Sequence, residues 1–292
     1  MRRRRRRWLV PLALVVAALA AAVVIKGRVD SAGRGYSSTF GARVVHYTLA
    51  SRLLGRSLEE VAVVPRGTGT HPLLVLLHGR HEPAAPSWLI PTRTGPESML
   101  SDAFFAGLAR LGRRAPVVVL LNGGADSYYH DRRDGRWGSM ILDEAIPNAV
   151  RRFGTKTGLI AIGGISMGGY GALHLAALRP QEFCAVGGHS AALWESGGAS
   201  APGAFDDAAD FARNDVFEAA RNGRLDGLSV WIDGGDNDPF HDADFALVAL
   251  LRQRGVRVSY HVWPGAHTQS YWDAHMAAYL RFYASALADC RA

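Results

Sequence analysis

Five residues, Gly164-Ile165-Ser166-Met167-Gly168, constrain this chain more than any others. They fit G-x-S-x-G, the pattern of a serine presented at the tip of a sharp strand-to-helix turn. Such a turn needs strained backbone angles and close neighbours on both sides. Glycines two before and two after the serine remove Cβ atoms that would clash there. The flanks supply the matching context. Leu159 to Ile162 reads as a buried strand, and Tyr170 to Leu178 as a helix ended by Arg179-Pro180. The N-terminus of that helix points at the serine, where its partial positive charge favours a developing oxyanion.

The rest of the chain alternates strands with helices. Val44 to Leu49 and Val61 to Val64 read as an antiparallel pair at a sheet edge. Leu73 to Leu77 and Pro116 to Leu121 are all-apolar runs typical of strands covered on both faces. A helix is expected around Ser98 to Leu111, and another near Ser139 to Phe153 with a kink or break at Pro147. After the serine come a strand at Phe183 to Val186 and a long loop from Gly187 to Gly203. A helix within Phe205 to Asn222, a strand at Leu228 to Ile232 and a helix from Asp242 to Gln253 follow. The chain closes on a strand at Val256 to Val262 and a helix from Ser270 to Leu287. The implied fold class is α/β: a mostly parallel central sheet with helices on both faces.

The first 26 residues stand apart from this pattern. Arg2 to Arg7 precede an apolar run from Trp8 to Ile25, 18 residues long. As a helix it would measure about 27 Å, against a hydrocarbon core of about 30 Å. Residues 1–26 therefore read as a signal-anchor with a cytoplasmic N-terminus, or as a signal peptide cleaved near Ala18-Leu19-Ala20. Residues 27–41, rich in glycine and serine, read as a linker, and 42–292 as one catalytic domain. The expected location is the cell membrane, with the domain outside the cytoplasm, or the secreted fraction after cleavage. The charge of +7 belongs to the leading segment, because the 26 Lys and Arg beyond it balance 26 Asp and Glu. Nothing in the body calls for a nucleic-acid partner. Cys184 lies in an apparently buried strand and reads as a buried free thiol, with a bond to Cys290 as the alternative.

A serine nucleophile needs a base and an orienting acid, in the chain order Ser, acid, His for this kind of elbow. His267, in a loop between the last strand and the last helix, is the base; His275, on that helix, reads as structural. The acid comes from Asp233-Gly-Gly-Asp236-Asn-Asp238-Pro-Phe. Asp238 is preferred, with Asp236 as the alternative and Asp233 read as a structural carboxylate or turn-former. The oxyanion donors expected are the backbone N–H groups of Met167 and Arg80, with Gly79 allowing close approach. His78, His81 and Glu82 match no standard zinc spacing, so no metal and no cofactor is expected. Trp88, Trp137, Trp194, Tyr128 and Tyr129 are candidates to line a pocket or cap the core. Arg132, Arg133 and Arg136 read as a solvated loop.

Taken together, LLHGR, NGG, GISMGGYGAL, DGGDNDPF and PGAHTQSYW resemble the Putative esterase family of α/β-hydrolases. That family includes S-formylglutathione hydrolase, feruloyl esterases and the antigen 85 mycolyltransferases. With Ser51-Arg-Leu-Leu-Gly-Arg-Ser57 the likeness spans residues 44 to 283. It implies an α/β-hydrolase fold, the triad Ser166, Asp238 and His267, and Arg80 and Met167 as oxyanion donors. Asn122 and Gly123, followed by Asp126-Ser-Tyr-Tyr129, are similar to the loop with which the antigen 85-like branch lines its acyl site. Trp272 follows the G-x-H pattern. The chain departs from the mycolyltransferases at His78-Gly79, where they carry an acid, and at Asp238, where they use glutamate. The expected function is an exported serine carboxylic-ester hydrolase acting on small-molecule, lipid or glycan esters. An acyltransferase on the same machinery and a catalytically silent envelope binding protein are the alternatives, and the oligomeric state is left open.

Overall fold

The computed structural model describes residues 35–67, 69–81 and 95–290. The expected membrane or signal segment, Glu82 and Trp88 lie outside these residues. Among the described residues no helix is long and apolar enough to cross a membrane.

Apart from a two-residue ribbon, Asp131–Arg132 with Gly135–Arg136, the strands are β1 (Arg43–Ser51), β2 (Arg56–Val64), β3 (Leu73–Leu77), β4 (Val117–Leu121), β5 (Ile160–Ile165), β6 (Ala185–His189), β7 (Ser229–Gly235) and β8 (Arg257–Trp263). They form one sheet in the order β1-β2-β4-β3-β5-β6-β7-β8. β2 runs antiparallel to both β1 and β4, and the other neighbouring strands pair in parallel. The C-terminal ends of β3, β5, β6 and β7 therefore meet at one edge.

Alternation along the strands builds two cores. Leu74, Leu76, Val118, Leu120 and Ala161 pack under α1 (Asp102–Arg110) and the long closing helix α7 (Gln269–Asp289). Leu73, Val75, Leu77, Val119 and Ile162 face the other side. There they meet the helical run α2 (residues 137–153), the elbow helix α3 (Met167–Leu178), α5 (Val216–Arg221) and α6 (His241–Gln253), while the short α4 (Ala208–Arg213) reaches this side through Phe211, whose ring lies 5.0 Å from that of Phe205. All five residues of β3 are at most 2% exposed. At about 1.5–3 kcal/mol for each buried aliphatic side chain, that strand is a firm base for the loop leaving its end.

Three boundaries differ from the sequence reading. The Pro147 break is instead a π turn, Ile141–Ala145, joining Trp137–Met140 to Ile146–Phe153 in the single run α2. Ile146 N–H bonds back to Ile141 C=O, so the extra residue absorbs the donor that Pro147 lacks. β6 continues through Gly187 and Gly188 to His189, because the Tyr283 hydroxyl from α7 occupies the space a Cβ at 187 would need. β7 runs on to Gly235, which puts Asp233 inside the sheet, paired with His189 and His261.

Cys184 is not a free thiol. It is bonded to Cys290, tying the C-terminal end of α7 to the start of β6 across 106 residues. The last linker residues dock on the body. Ser37 donates from its N–H (2.7 Å) and hydroxyl (2.9 Å) to Asp102, and the Tyr36 and Phe105 rings lie 4.5 Å apart.

Candidate active site

Ser166 ends β5 with φ 53° and ψ −118°, a strained conformation for a residue with a side chain. The flanking glycines are steric necessities. A Cβ on Gly164 would lie 2.6 Å from the Leu77 carbonyl oxygen, and one on Gly168 would lie 2.7 Å from that of His78. The turn is held by Ser166 N–H donating to His189 C=O (3.0 Å), while Ser166 C=O accepts from Ala192 N–H (3.0 Å) and Tyr170 N–H (3.1 Å).

His267 stands between the serine and an aspartate. Its Nε2 is 2.8 Å from Ser166 Oγ and its Nδ1 is 3.0 Å from Asp238 Oδ2. A carboxylate only accepts, so Nδ1 carries the hydrogen and Nε2 accepts from the serine hydroxyl. The imidazole is wedged edge-on by the Phe240 ring at 5.3 Å and the Trp272 ring at 5.1 Å. The loop carrying it is clamped to the loop after β7: Gly265 N–H donates to Asp236 Oδ1, and Asn237 N–H to Gly265 C=O (both 2.9 Å).

The three competing aspartates thus separate. Asp238 is buried and reaches His267; Oδ1 accepts from Phe240 N–H at 3.0 Å. Burial opposes its charge, yet bonds from His267, Phe240 N–H and the Ser190 hydroxyl hold the carboxyl below its usual range. Asp236 is exposed and serves the loop clamp. Asp233 is fully buried and saturated with donors. Oδ1 accepts from His189 Nδ1 and Trp231 Nε1, both at 2.7 Å. Oδ2 accepts from the hydroxyls of Tyr271 (3.0 Å) and Tyr279 (2.7 Å). It fastens α7 to the sheet and has no route to His267. His275 packs against Trp263 at 3.9 Å, away from the serine.

Ser190 was not singled out in the sequence. Buried at φ 47°, it accepts from Trp272 Nε1 at 3.0 Å and donates to Asp238. The only sequence signal is a polar pair, His189-Ser190, at the end of a buried strand beside the elbow strand.

Met167 opens α3, so its N–H has no intrahelical acceptor, and Arg80 follows Gly79 in the loop after β3. A Cβ on Gly79 would sit 3.4 Å from that of Ser166, which brings this loop against the serine. His78 organises the loop. Its Nδ1 bonds Gly79 C=O (2.8 Å), its Nε2 accepts from Gly123 N–H (3.2 Å), and its own C=O accepts from the Tyr129 hydroxyl (3.1 Å). Burial lowers the imidazole to about 4, consistent with a neutral ring. Tyr128 and Tyr129 both hold positive φ, 53° and 56°, directly beside this loop.

Ser166, His267, Gly79, Arg80, Gln269 and Trp272 line a cleft of about 200 Å³. Asn122, expected at the acyl site, lines a neighbouring cleft together with His81 and Gly95, two residues that also line the serine cleft. Asn122 caps the end of β4: its N–H donates to Glu60 (2.7 Å) and its Oδ1 accepts from Gly124 N–H (2.9 Å). Gly123 lies against the Tyr129 ring, where no Cβ fits. Trp137 caps the core beneath Arg56, and Trp194 joins Tyr128, Phe205 and Phe240 in an aromatic cluster. The arginine loop is tied down rather than simply solvated. Arg132 pairs with Asp206 at 3.1 Å, Arg133 with Asp207, and Arg136 with Asp131 at 3.5 Å.

A serine hydroxyl bonded to a proton acceptor at the wall of a cleft makes an arrangement suited to acyl transfer. A sequence-family model described as Putative esterase matches residues 60–283. Solved structures share the fold. A ferulic acid esterase superposes with TM-score 0.68 at 23% identity, covering 84% of this chain and 98% of its own. The S-formylglutathione hydrolase of Agrobacterium tumefaciens gives 0.62 at 18%, covering 86% and 97%. Mycobacterium tuberculosis MPT51 gives 0.64 at 20%, covering 85% and 100%. Comparison with curated proteins found no match. With the family pattern covering most of its length, the chain belongs to the Putative esterase family of carboxylic ester hydrolases.

Proposed function

We propose that this protein is an exported serine esterase working through an acyl-enzyme on Ser166. The observation that carries the reading is His267 suspended between Ser166 Oγ (2.8 Å) and Asp238 (3.0 Å). His267 Nε2 takes the hydroxyl proton as Oγ attacks the ester carbonyl, and Asp238 holds the tautomer and the imidazolium that forms. The Met167 and Arg80 N–H groups stabilise the tetrahedral oxyanion. His267 then protonates the leaving alcohol, and the same steps with water release the acid. Trp272 and Gly79 shape the cleft, and the substrate is the ester of a small molecule, lipid or glycan.

Export is supported by the Cys184–Cys290 bond, of a kind that persists in oxidising compartments, and by the arginine-led apolar segment ahead of the domain. That segment tethers the domain to the outer side of the cell membrane or, if cleaved, releases it.

The test is a fluorophosphonate probe on the full chain and on Ser166→Ala, with the labelled residue mapped by mass spectrometry. Labelling of Ser166 alone, absent in the variant, is expected. An unlabelled but folded protein would sink the proposal. Adding an alcohol acceptor to the ester assay then reports how the acyl group partitions between water and alcohol.

A further inference from the structure

The loop after β3 brings a charge to the cleft that the steps above leave unused. Arg80, whose backbone N–H is assigned to the oxyanion, lines the cleft with Gly79, Ser166, His267 and Trp272, and it is exposed. Among the described residues lining that cleft it is the one Arg or Lys, and none is Asp or Glu. The other ionisable side chains there, His81 and His267, can add only positive charge. The acid of the triad is sealed behind the imidazole, because Asp238 is 5% exposed and bonded to His267. Helix α3 begins beside the serine and turns the positive end of its dipole to the same space. The cleft is therefore cationic at its wall.

The guanidinium is held in place without being neutralised. Its Nη1 reaches the Pro202 carbonyl oxygen, in the long loop after β6, at 3.5 Å, and the head rests against the Tyr128 hydroxyl. Both partners are uncharged. Asp126 and Arg132 also act on that hydroxyl, with opposite signs, so this corner holds no surplus of negative charge. Tyr128 is itself fixed, buried with its ring 5.6 Å from Trp194 and 5.9 Å from Tyr170. Five N–H donors thus serve one long contact and one hydroxyl, which leaves the fork open to a planar acceptor with two oxygens. Place gives this arginine its ligand. A Cβ on Gly79 would sit 3.4 Å from that of Ser166, so the next residue carries its cation one side chain's length from backbone that touches the nucleophile.

We propose that Arg80 determines specificity, and that the esters turned over best carry an anionic group, a carboxylate or its equivalent, within a side chain's length of the scissile carbonyl. The inference rests on the esterase reading of Ser166 and narrows its substrate from esters in general to anionic ones. One residue then acts twice on one substrate. Its guanidinium holds the anion, and that contact seats the carbonyl where the Arg80 and Met167 amides meet the developing oxyanion.

The test uses the full chain and two pairs of esters, each pair differing by one charge. For an anion on the acyl side the pair is para-nitrophenyl hydrogen adipate and its methyl ester; for the alcohol side it is para-acetoxybenzoate and its methyl ester. The preference is kcat/KM for the anionic ester over that for the neutral one. Dividing the wild-type preference by that of Arg80→Gln cancels the intrinsic reactivity of each ester and any effect of the substitution on the oxyanion amide. A hydrogen bond to a charged group, taken at the low end for an exposed side chain, is worth about tenfold, so the quotient should reach about 10 for at least one pair. Arg80→Lys keeps the charge but not the fork and should retain part of the preference. Raising NaCl from about 0.05 M to about 0.5 M should shrink the wild-type preference at least about threefold and leave that of Arg80→Gln flat. A quotient of about 1 for both pairs, or a preference that salt does not touch, would overturn the inference. Hydrolysis of the neutral esters by the wild type and not by Ser166→Ala reports the esterase reading separately. Turnover of neutral esters without a charge preference removes the role of Arg80 alone.

Discussion

Two buried aspartates five residues apart should fail in opposite ways when each is replaced by asparagine. Asp238→Asn leaves a side chain of the same shape, but the amide nitrogen faces His267 Nδ1 and favours the tautomer with its hydrogen on Nε2, pointing at Ser166. The imidazole can then no longer accept the serine proton. The expected loss is about 10⁴-fold in kcat, roughly 5 kcal/mol of barrier, with little change in melting temperature. Asp233→Asn removes the charge on which four donors converge, at 2.7, 2.7, 3.0 and 2.7 Å. The tyrosine hydroxyls can turn and accept from the amide, but the charge-assisted part of each bond is lost. A buried pair broken on one side costs about 3–5 kcal/mol, which for a domain of this size lowers Tm by about 10 °C. Any loss of kcat in the surviving folded protein should stay under about tenfold, about 1.4 kcal/mol. Calorimetry and ester hydrolysis on both variants decide the matter. An Asp233→Asn protein that melts normally yet loses activity as severely as Asp238→Asn would refute the division of labour drawn from the geometry.

Ser190→Ala strips one donor from the Asp238 carboxylate, which then holds the imidazolium more tightly. The acidic limb of kcat/KM should move to higher pH, with kcat down about tenfold for a charge-assisted bond worth about 1.5 kcal/mol. Trp272→Phe acts on Asp238 through the same hydroxyl, so the pH shifts of the two variants should not add; additive shifts would show independent routes. Replacing Cys184 and Cys290 by serine opens a loop spanning 106 residues. By chain entropy that costs up to about 4.7 kcal/mol, and the check is a lower Tm with unchanged kcat, matched by reductant on the wild type. His78 and His174 are buried with folded pKa values lowered to about 4 and about 3. The unfolded chain binds those protons first, so stability is lost as pH falls below the unfolded value of about 6.5, by up to roughly 3 kcal/mol per histidine near pH 4. Urea titrations from pH 7 to 4 should be flatter for His174→Gln; an equal slope would assign the acid loss elsewhere.

The parts of the site that are local in sequence could be read there, and the parts assembled across the fold could not. G-x-S-x-G announces itself because the strain of one turn must be relieved by residues two positions away, and the loops bearing Asp238 and His267 each follow a recognisable strand. The structure brings these three together as the chain order implied. Ser190 escaped notice because its role exists only where β6, the loop after β7 and α7 converge, and no spacing encodes that. Cys184 misled for a related reason. Burial in a strand suggests a free thiol, and only the path of α7 reveals that residue 290 returns to it. The roles of Asn122 and Gly123 are not separable by spacing, since a polar, glycine-rich strand end serves equally well to line a pocket or to seat a neighbouring ring.

The distribution of strain gives these observations a common cause. Tyr128, Tyr129, Ser166 and Ser190 all hold positive φ; Ser166 lines the cleft, Ser190 bonds Trp272 and Asp238 behind it, and Tyr129 bonds the His78 carbonyl of the loop beside it. Each such residue costs on the order of 1–3 kcal/mol, so four of them could not persist unless the surroundings over-determined them. Those surroundings are visible in each case: His78 and Gly123 beside the tyrosines, the carbonyl of His189 under Ser166, and Asp233 with Trp272 around Ser190. The saturated carboxylate of Asp233 is therefore more than a core polar group. Its backbone C=O accepts from Ser190 N–H at 2.6 Å while its side chain anchors α7, the helix that carries Trp272. Loosening that anchor should free Ser190 and, through it, Asp238. The surviving fraction of Asp233→Asn should accordingly show the upward shift of the acidic limb expected for Ser190→Ala. An unshifted pH profile in that variant would separate the fold's anchor from the site it surrounds.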